Sequence, residues 1–312
     1  MYQVADMSVW QGRNDSEEGA LGRRWHERVQ QLHEAAAAGT ALLGFACDAG
    51  VSRNQGRPGA KEGPQAIRKA LANLAWHHEG HVYDGGTVAC EADALEDAQA
   101  ELGRQVAHLL AAGHFPLVLG GGHEMAYGSF LGLARHAELQ KRRPRIGIVN
   151  LDAHFDLRAG ERASSGTPFR QIAEACEANG ADFLYLVYGI SEPANTEALF
   201  HRARSLGVQW RGDEDCHRDN LENLLDTLTF FADQVDWLYL TVCLDVLPAG
   251  VAPGVSAPAP YGVELPVVEA LIDAAKATGK LMLADIAELN PSMDRDGITA
   301  KVAARLAWRL AR

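Results

Sequence analysis

Six short, almost uninterrupted apolar runs, set apart by helix-length stretches, constrain this chain more than any other feature. They are ALLGFA (41–46), PLVLGG (116–121), RIGIVNLD (145–152), FLYLVYGI (183–190), WLYLTVCLDV (237–246) and LMLADIAEL (281–289). Strands that alternate in polarity belong to sheets with one wet face, whereas continuously apolar strands need cover on both faces. The segments between them read as helices, notably 93–112, 221–232 and 265–278. Strand–helix alternation of this kind specifies an α/β protein, a three-layer α/β/α arrangement around a mainly parallel sheet. No internal repeat or Pro/Ser-rich linker divides it, so residues 1–312 are expected to form one domain.

Composition narrows the partners. With 47% hydrophobic and 22% charged residues the chain has the balance of a soluble globular protein. A formal net charge of -12 disfavours nucleic acid and anionic membrane, which call for a basic surface. No run approaches the roughly 20 apolar residues of a membrane span, and MYQVADMSVWQGRND lacks the basic-then-apolar pattern of a signal peptide. Five scattered cysteines without a C-x-x-C pair suit reduced thiols in a cytoplasmic protein, and Cys47, Cys90, Cys176 and Cys216 read as ordinary free thiols. GRRWHERVQQLHEA (22–35) reads as an amphipathic surface helix running into EAAAAG and stopped by Gly39, and WHHEGH (76–81) as a solvated loop.

In parallel sheets ligands gather beyond the carboxyl ends of the strands, and here those ends carry chemistry. GGGHE presents His123 after three glycines. NLDAHFD spaces Asp152, His154 and Asp156 at period two, which in an extended chain turns carboxylate, imidazole and carboxylate to one side. Three polar groups on one face of a buried strand need partners, so this motif points to a metal site. LTVCLDV adds Cys243 and Asp245, again two apart on a strand, and DIAELNP adds Asp285 and Glu288. Two imidazoles and three carboxylates form a hard N/O set with enough donors for two adjacent cations, one carboxylate bridging them. A pair of cations roughly 3.5–4 Å apart activates water at neutral pH and stabilises an oxyanion. The residues alone therefore point to a dinuclear metallohydrolase.

GGGHE, NLDAHFD, LDVLP…APGVSAP and DIAELNP, in that order, resemble the ureohydrolases (arginase, agmatinase and formimidoylglutamase), and the likeness runs from GVSRNQGRPGAKEGPQAIR at Gly50 to the C-terminal helix. The resemblance implies two Mn²⁺ ions per chain, with His123 and Asp156 on the first, His154 and Asp245 on the second, and Asp152 between them. The family commonly has D-x-D where this chain has CLD, so Cys243 falls on a bridging aspartate. Thiolate is a soft ligand that shifts preference toward zinc. Three readings follow: Cys243 coordinates as thiolate, it stands uncoordinated beside a site completed by water, or it leaves an impaired or mononuclear site.

WQGRND, RNQGRPGAKEGPQAIRKALANLAW and VLPAGVAPGVSAPAPYGV resemble the formimidoylglutamase branch, which acts in histidine degradation. That branch implies hydrolysis of N-formimidoyl-L-glutamate to L-glutamate and formamide. Glu288 would pair with the substrate's amidinium and Asp156 would pass a proton to the departing amine. Asn54, Arg57 and Arg158 are the candidates for its two carboxylates, since arginine's planar fork suits them. No histidine stands between His154 and His201, so a histidine proton shuttle has no candidate there. Asp285 is expected to support the site from behind. The alternatives are another ureohydrolase (guanidinobutyrase, agmatinase or arginase) and a non-catalytic binding protein with an impaired site. The expected partner is a small molecule, and the resemblance leaves room for a homo-oligomer because the family often forms trimers or hexamers.

Overall fold

The computed structural model describes residues 1–312. Ten strands form one sheet: β1 (Tyr2–Gln3), β2 (Gln30–Gln31), β3 (Thr40–Ala46), β4 (Val82–Ala89), β5 (Phe115–Gly120), β6 (Ile146–Leu151), β7 (Leu184–Ile190), β8 (Gln209–Gly212), β9 (Trp237–Cys243) and β10 (Leu281–Ala287). Their order is β1-β4-β3-β5-β10-β9-β6-β7-β8, with β2 on β4, and every pairing except β1–β4 is parallel. Between them lie α1 (Ala49–Arg53), α2 (Gly63–Ala72), α3 (Leu95–Ala111), α4 (Met125–Leu139), α5 (Pro168–Ala178), α6 (Glu197–Ser205), α7 (Leu221–Asp233), α8 (Leu265–Ala277) and α9 (Ile298–Ala311).

The apolar runs are continuous because each strand serves two cores. Leu42, Leu117, Val149, Leu240 and Val242 face one way, onto α2, α7, α8 and α9. Leu43, Val118, Ile148, Val187 and Tyr239 face the other way, onto α3, α4, α5 and α6. Successive strand side chains point to opposite faces, so the result is the three-layer arrangement expected. Each fully buried Leu or Val contributes about 1.5–3 kcal/mol, and Leu240→Ala in the central β9 would cost about 2–5 kcal/mol.

The sequence expectations need correction in five places. Residues 22–39 do not form an amphipathic helix. Trp25 is fully buried edge-on to Trp76, in a single 3₁₀ turn (Trp25–Glu27), and β2 then pairs in parallel with β4. Burial of a tryptophan outweighs the weak helical preference of an alanine-rich run. The strand β4 was missed because Asp84, Gly85 and Gly86 interrupt its apolar pattern, and the edge strand β8 is short and half-buried. The run 237–246 stops being a strand at Cys243 and turns through a 3₁₀ helix (Leu244–Val246), so Cys243 and Asp245 do not share a strand face. Likewise β6 ends at Leu151, before Asp152, His154 and Asp156. No helix is long and apolar enough to cross a membrane.

Candidate metal centre

Four adjacent central strands, in the order β5, β10, β9 and β6, end at the same mouth. Neighbouring strands lie about 4.8 Å apart, so residues just past their carboxyl ends meet over a short span. β5 hands over to Gly121 and Gly122, whose N–H groups donate to the carbonyls of Phe45 and Cys47, each at 2.9 Å. A Cβ at Gly121 would overlap the Cys47 carbonyl, and one at Gly122 would overlap the Glu124 carboxylate. The glycines thus allow a tight turn that carries His123 into the interior, where it is 2% exposed.

His123 Nδ1 lies 2.9 Å from Asp152 Oδ2 and 3.0 Å from Asp156 Oδ2. Its Nε2 is 2.9 Å from Thr241 Oγ1. Asp152 is braced on both sides: Asn150 Nδ2 donates to Oδ2 at 3.0 Å and the His154 N–H donates to Oδ1 at 2.7 Å. His154 Nδ1 lies 3.5 Å from Asp152 Oδ1 and 3.2 Å from Asp245 Oδ2. Asp156 and Glu288 carry positive φ values of 50° and 72°. Such conformations cost about 1–3 kcal/mol each in non-glycine residues and concentrate where a side chain must be aimed. Glu288 is aimed at the turn, with Oε1 accepting the His123 N–H at 2.8 Å.

Ligand atoms of His123, Asp152 and Cys243 all lie within 4.8 Å of one another, and so do those of Asp152, His154 and Asp245. Asp152 belongs to both sets. Asp156 joins the first set through His123, and the Cys243 thiol falls in the first set and not the second. Burial alone would lower the pKa of His123, yet Asp152 and Asp156 push it well above the ordinary histidine value. For His154 burial is likewise overcome, by Asp245 and Asp152. Burial and then the Asp152 charge push Asp156 up to about 6. Burial and then Asp152 hold the Cys243 thiol protonated, well above its usual range. Glu288 is pushed up to about 8 by burial and then by the charge of Glu124.

These shifts describe carboxylates crowded together with too little positive charge. Two buried atoms in the cluster, His123 Nδ1 and Asp245 Oδ1, have no hydrogen-bond partner of good geometry. Buried polar groups are nearly always satisfied, so the cluster is incomplete as a purely protein structure. Its donors fit divalent cations: imidazole and carboxylate for manganese, with one sulfur that also tolerates zinc.

The expected substrate residues divide. Arg158 is exposed and its guanidinium makes no hydrogen bond or ion pair. With Asn54, Gln55, Arg162 and Thr167 it lines a cavity of about 590 Å³ whose rim begins two residues past Asp156. Asn54 Nδ2 donates to Ser165 Oγ at 3.2 Å across that cavity's wall. Arg57 departs from expectation. Its guanidinium donates to the carbonyls of Ser256 (2.8 Å) and Val255 (2.7 Å), and its own carbonyl accepts from Asn290 Nδ2 at 3.0 Å. Arg57 lies off the cavity and ties three loops together, so its planar fork is filled by backbone oxygens.

Sequence reading also passed over residues behind the cluster. Asn150 and Thr241 each stand two positions before a cluster residue, Asp152 and Cys243, within β6 and β9. The same period-two rule, carried one step back, points to both. Thr241 lies in register with Asp285 on β10. Asp285 is fully buried and accepts from the Tyr239 hydroxyl, with burial raising its pKa.

Known proteins resemble the chain over nearly its whole length. The Arginase family model matches residues 38–312. A formimidoylglutamase of Ralstonia nicotianae is 57% identical over 99% of this chain and 96% of its own, and one of Chromobacterium violaceum is 54% identical over 99% of both. Among solved structures, Trypanosoma cruzi formiminoglutamase with Mn²⁺ superposes with a TM-score of 0.76 at 26% identity, covering 88% of this chain and 92% of that one. Formimidoylglutamase from Bacillus subtilis, at 21% identity and a TM-score of 0.80 over 91% of this chain and 90% of its own, shares the fold. The motifs at four strand ends, the sheet that brings them together and the near full-length matches agree: the chain belongs to the arginase family.

Proposed function

We propose that the chain is a metal-dependent hydrolase that converts N-formimidoyl-L-glutamate and water to L-glutamate and formamide, with residues 1–312 acting as one catalytic domain. The observation that carries the chemistry is the incomplete cluster. Asp152 is common to two sets of ligand atoms, each of a size that suits one cation. The choice of substrate rests on relatives that bear the formimidoylglutamase name over nearly their whole length. Five cysteines free of disulfides suit a cytoplasmic enzyme.

Two Mn²⁺ ions per chain are the proposed cofactor, and His123, Asp152, His154, Asp156, Cys243 and Asp245 would hold them. When bound, such ions would supply Lewis acidity, which lowers the pKa of water and offsets negative charge on oxygen. The protein's own groups do the rest. Glu288 accepts two parallel N–H bonds from the amidinium. A carboxyl pushed up to about 8 by burial and then by Glu124 is stabilised as an anion by that cation. Asp156, whose carboxylate lies 3.0 Å from His123 Nδ1 at the edge of the cluster, would pass a proton to the leaving amine of glutamate. Arg158 and Asn54 hold the carboxylates in the adjoining cavity, while Arg57 keeps that loop in place. A panel of formimidoylglutamate, arginine, agmatine and guanidinobutyrate tests the reading. Glutamate release at a kcat/KM far above urea release from the others is expected, and preference for any guanidinium substrate would overturn it.

A further inference from the structure

Cys47 and Cys90 play no part in the proposed reaction, and as isolated residues each is unremarkable. The fold makes them a pair. β3 and β4 are parallel neighbours whose pairing ends with Ala46 opposite Ala89, so Cys47 and Cys90 are the first residues past two adjacent strand ends. The Cys90 N–H donates to the Ala46 carbonyl at 3.1 Å, which keeps the two strand ends in register to that point. Parallel neighbours lie about 4.8 Å apart, inside the roughly 4.4–6.8 Å Cα window of a disulfide. Cys47 belongs to the core on one side of the sheet, and Cys90 packs against that same core. Their thiols approach closely enough to interact.

The surroundings differ in a way that orders the chemistry. Cys90 is half-buried and lines a cavity of about 380 Å³ that also holds Gln3, Lys61 and Gln65. Cys47 is 1% exposed and lies behind Cys90. We propose that Cys47 and Cys90 form a reversible disulfide, with a low-molecular-weight disulfide as oxidant and Cys90 as the residue that meets it from solvent. The Cys90 thiolate attacks one sulfur of the small disulfide, whose S–S bond breaks to release one thiol and leave a mixed disulfide on Cys90. Cys47, on losing its proton, attacks Cys90 Sγ and expels the second small thiol. Two protein thiols are oxidised, one small disulfide is reduced to two thiols, and the two protons end on those thiols. Burial raises both thiols, Cys47 the more strongly, so exchange is slow at neutral pH and faster in alkali. The bond would form directly behind the metal-centre turn, since the Cys47 carbonyl accepts the Gly122 N–H at 2.9 Å.

The test is peptide mapping of the full-length, Mn²⁺-loaded protein after incubation with oxidised glutathione, with and without later dithiothreitol. The expected result is a cross-linked peptide pair containing Cys47 and Cys90 that vanishes on reduction. Cys47→Ala, which removes the resolving thiol, is expected to accumulate a glutathione adduct on Cys90. Wild-type protein that carries only a stable adduct on Cys90, that links either cysteine to a different one, or that stays unmodified at both would overturn the proposal. The mapping reads the bond itself and stands whether or not the hydrolase reading holds.

Discussion

Two buried charge clusters sit in this sheet, and they are finished differently. At the β3–β4 side, Asp84 accepts from Arg68 Nε (2.8 Å) and Nη2 (2.9 Å), from Trp10 Nε1 (2.8 Å) and from the Gly86 N–H (3.0 Å). Arg68 gives its remaining donors to Gly86 O and Thr87 Oγ1. At the mouth of β5, β10, β9 and β6, three buried acids, Asp152, Asp245 and Glu288, and the partly buried Asp156 share two imidazoles. There His123 Nδ1 meets its carboxylate neighbours only at poor hydrogen-bond angles, and Asp245 Oδ1 has no partner. Both clusters are costly to desolvate. The first is compensated by its own neighbours and holds the N-terminal segment to the sheet. The second has no such internal compensation, which suits a place where cations would bind.

The largest expected effects separate the two clusters outright. Asp152→Asn removes the charge and one of the two oxygens with which Asp152 faces both candidate ion positions, and should abolish formimidoylglutamate hydrolysis while far-ultraviolet circular dichroism stays native. Substantial turnover in this variant would remove Asp152 from its proposed place. Arg68→Ala leaves Asp84 buried without its counter-ion and should cost about 3–5 kcal/mol in urea unfolding, with kcat per folded molecule unchanged. A loss of kcat without a loss of stability would mean that the edge cluster is no mere strut.

Smaller effects sharpen the picture inside the site. Thr241→Val takes away the hydroxyl at His123 Nε2 and should weaken Mn²⁺ binding by about 10–100-fold, as read from activity against free Mn²⁺. Arg158→Ala removes a charge-assisted contact of about 1.5–3 kcal/mol. It should raise KM for formimidoylglutamate by tenfold or more with little change in kcat, and an unchanged KM would strike Arg158 from the binding residues.

The smallest effect is a count of protons. Without cations, burial would lower His123 and His154, but the flanking carboxylates keep both charged at neutral pH. Burial keeps Cys243 a neutral thiol. Cations must displace these protons, so apparent Mn²⁺ affinity should rise with pH through the neutral range. Calorimetry in buffers of different ionisation enthalpy should show one proton more released by wild type than by Cys243→Ser. Equal release would mean that Cys243 stands by without coordinating.

Much of this was legible before the fold was known. The apolar runs predicted parallel strands because nothing else buries both faces of so many short segments, and polar residues at their ends marked the mouth. The local geometry was less legible. Asp152, His154 and Asp156 do converge, but past the end of β6 and with Asp156 in a left-handed conformation, not on an extended strand. Cys243 and Asp245 meet the cluster across a 3₁₀ turn. β4 escaped notice because Asp84, Gly85 and Gly86 break its apolar pattern, and Trp25 was misread because a long-range contact, Trp76, decides its conformation. Arg57 was misassigned for the same reason, since its partners are about two hundred positions away in the chain.

The most direct test of the central claim, that the unsatisfied cluster is a two-cation hydrolytic site despite Cys243, is metal analysis by plasma mass spectrometry. The protein would be purified without chelator and reconstituted with Mn²⁺, and formamide release followed on the same sample. Two Mn²⁺ per chain, with hydrolysis that vanishes on chelation and returns on reloading, is the predicted result. One ion or none per chain in fully active enzyme would contradict it.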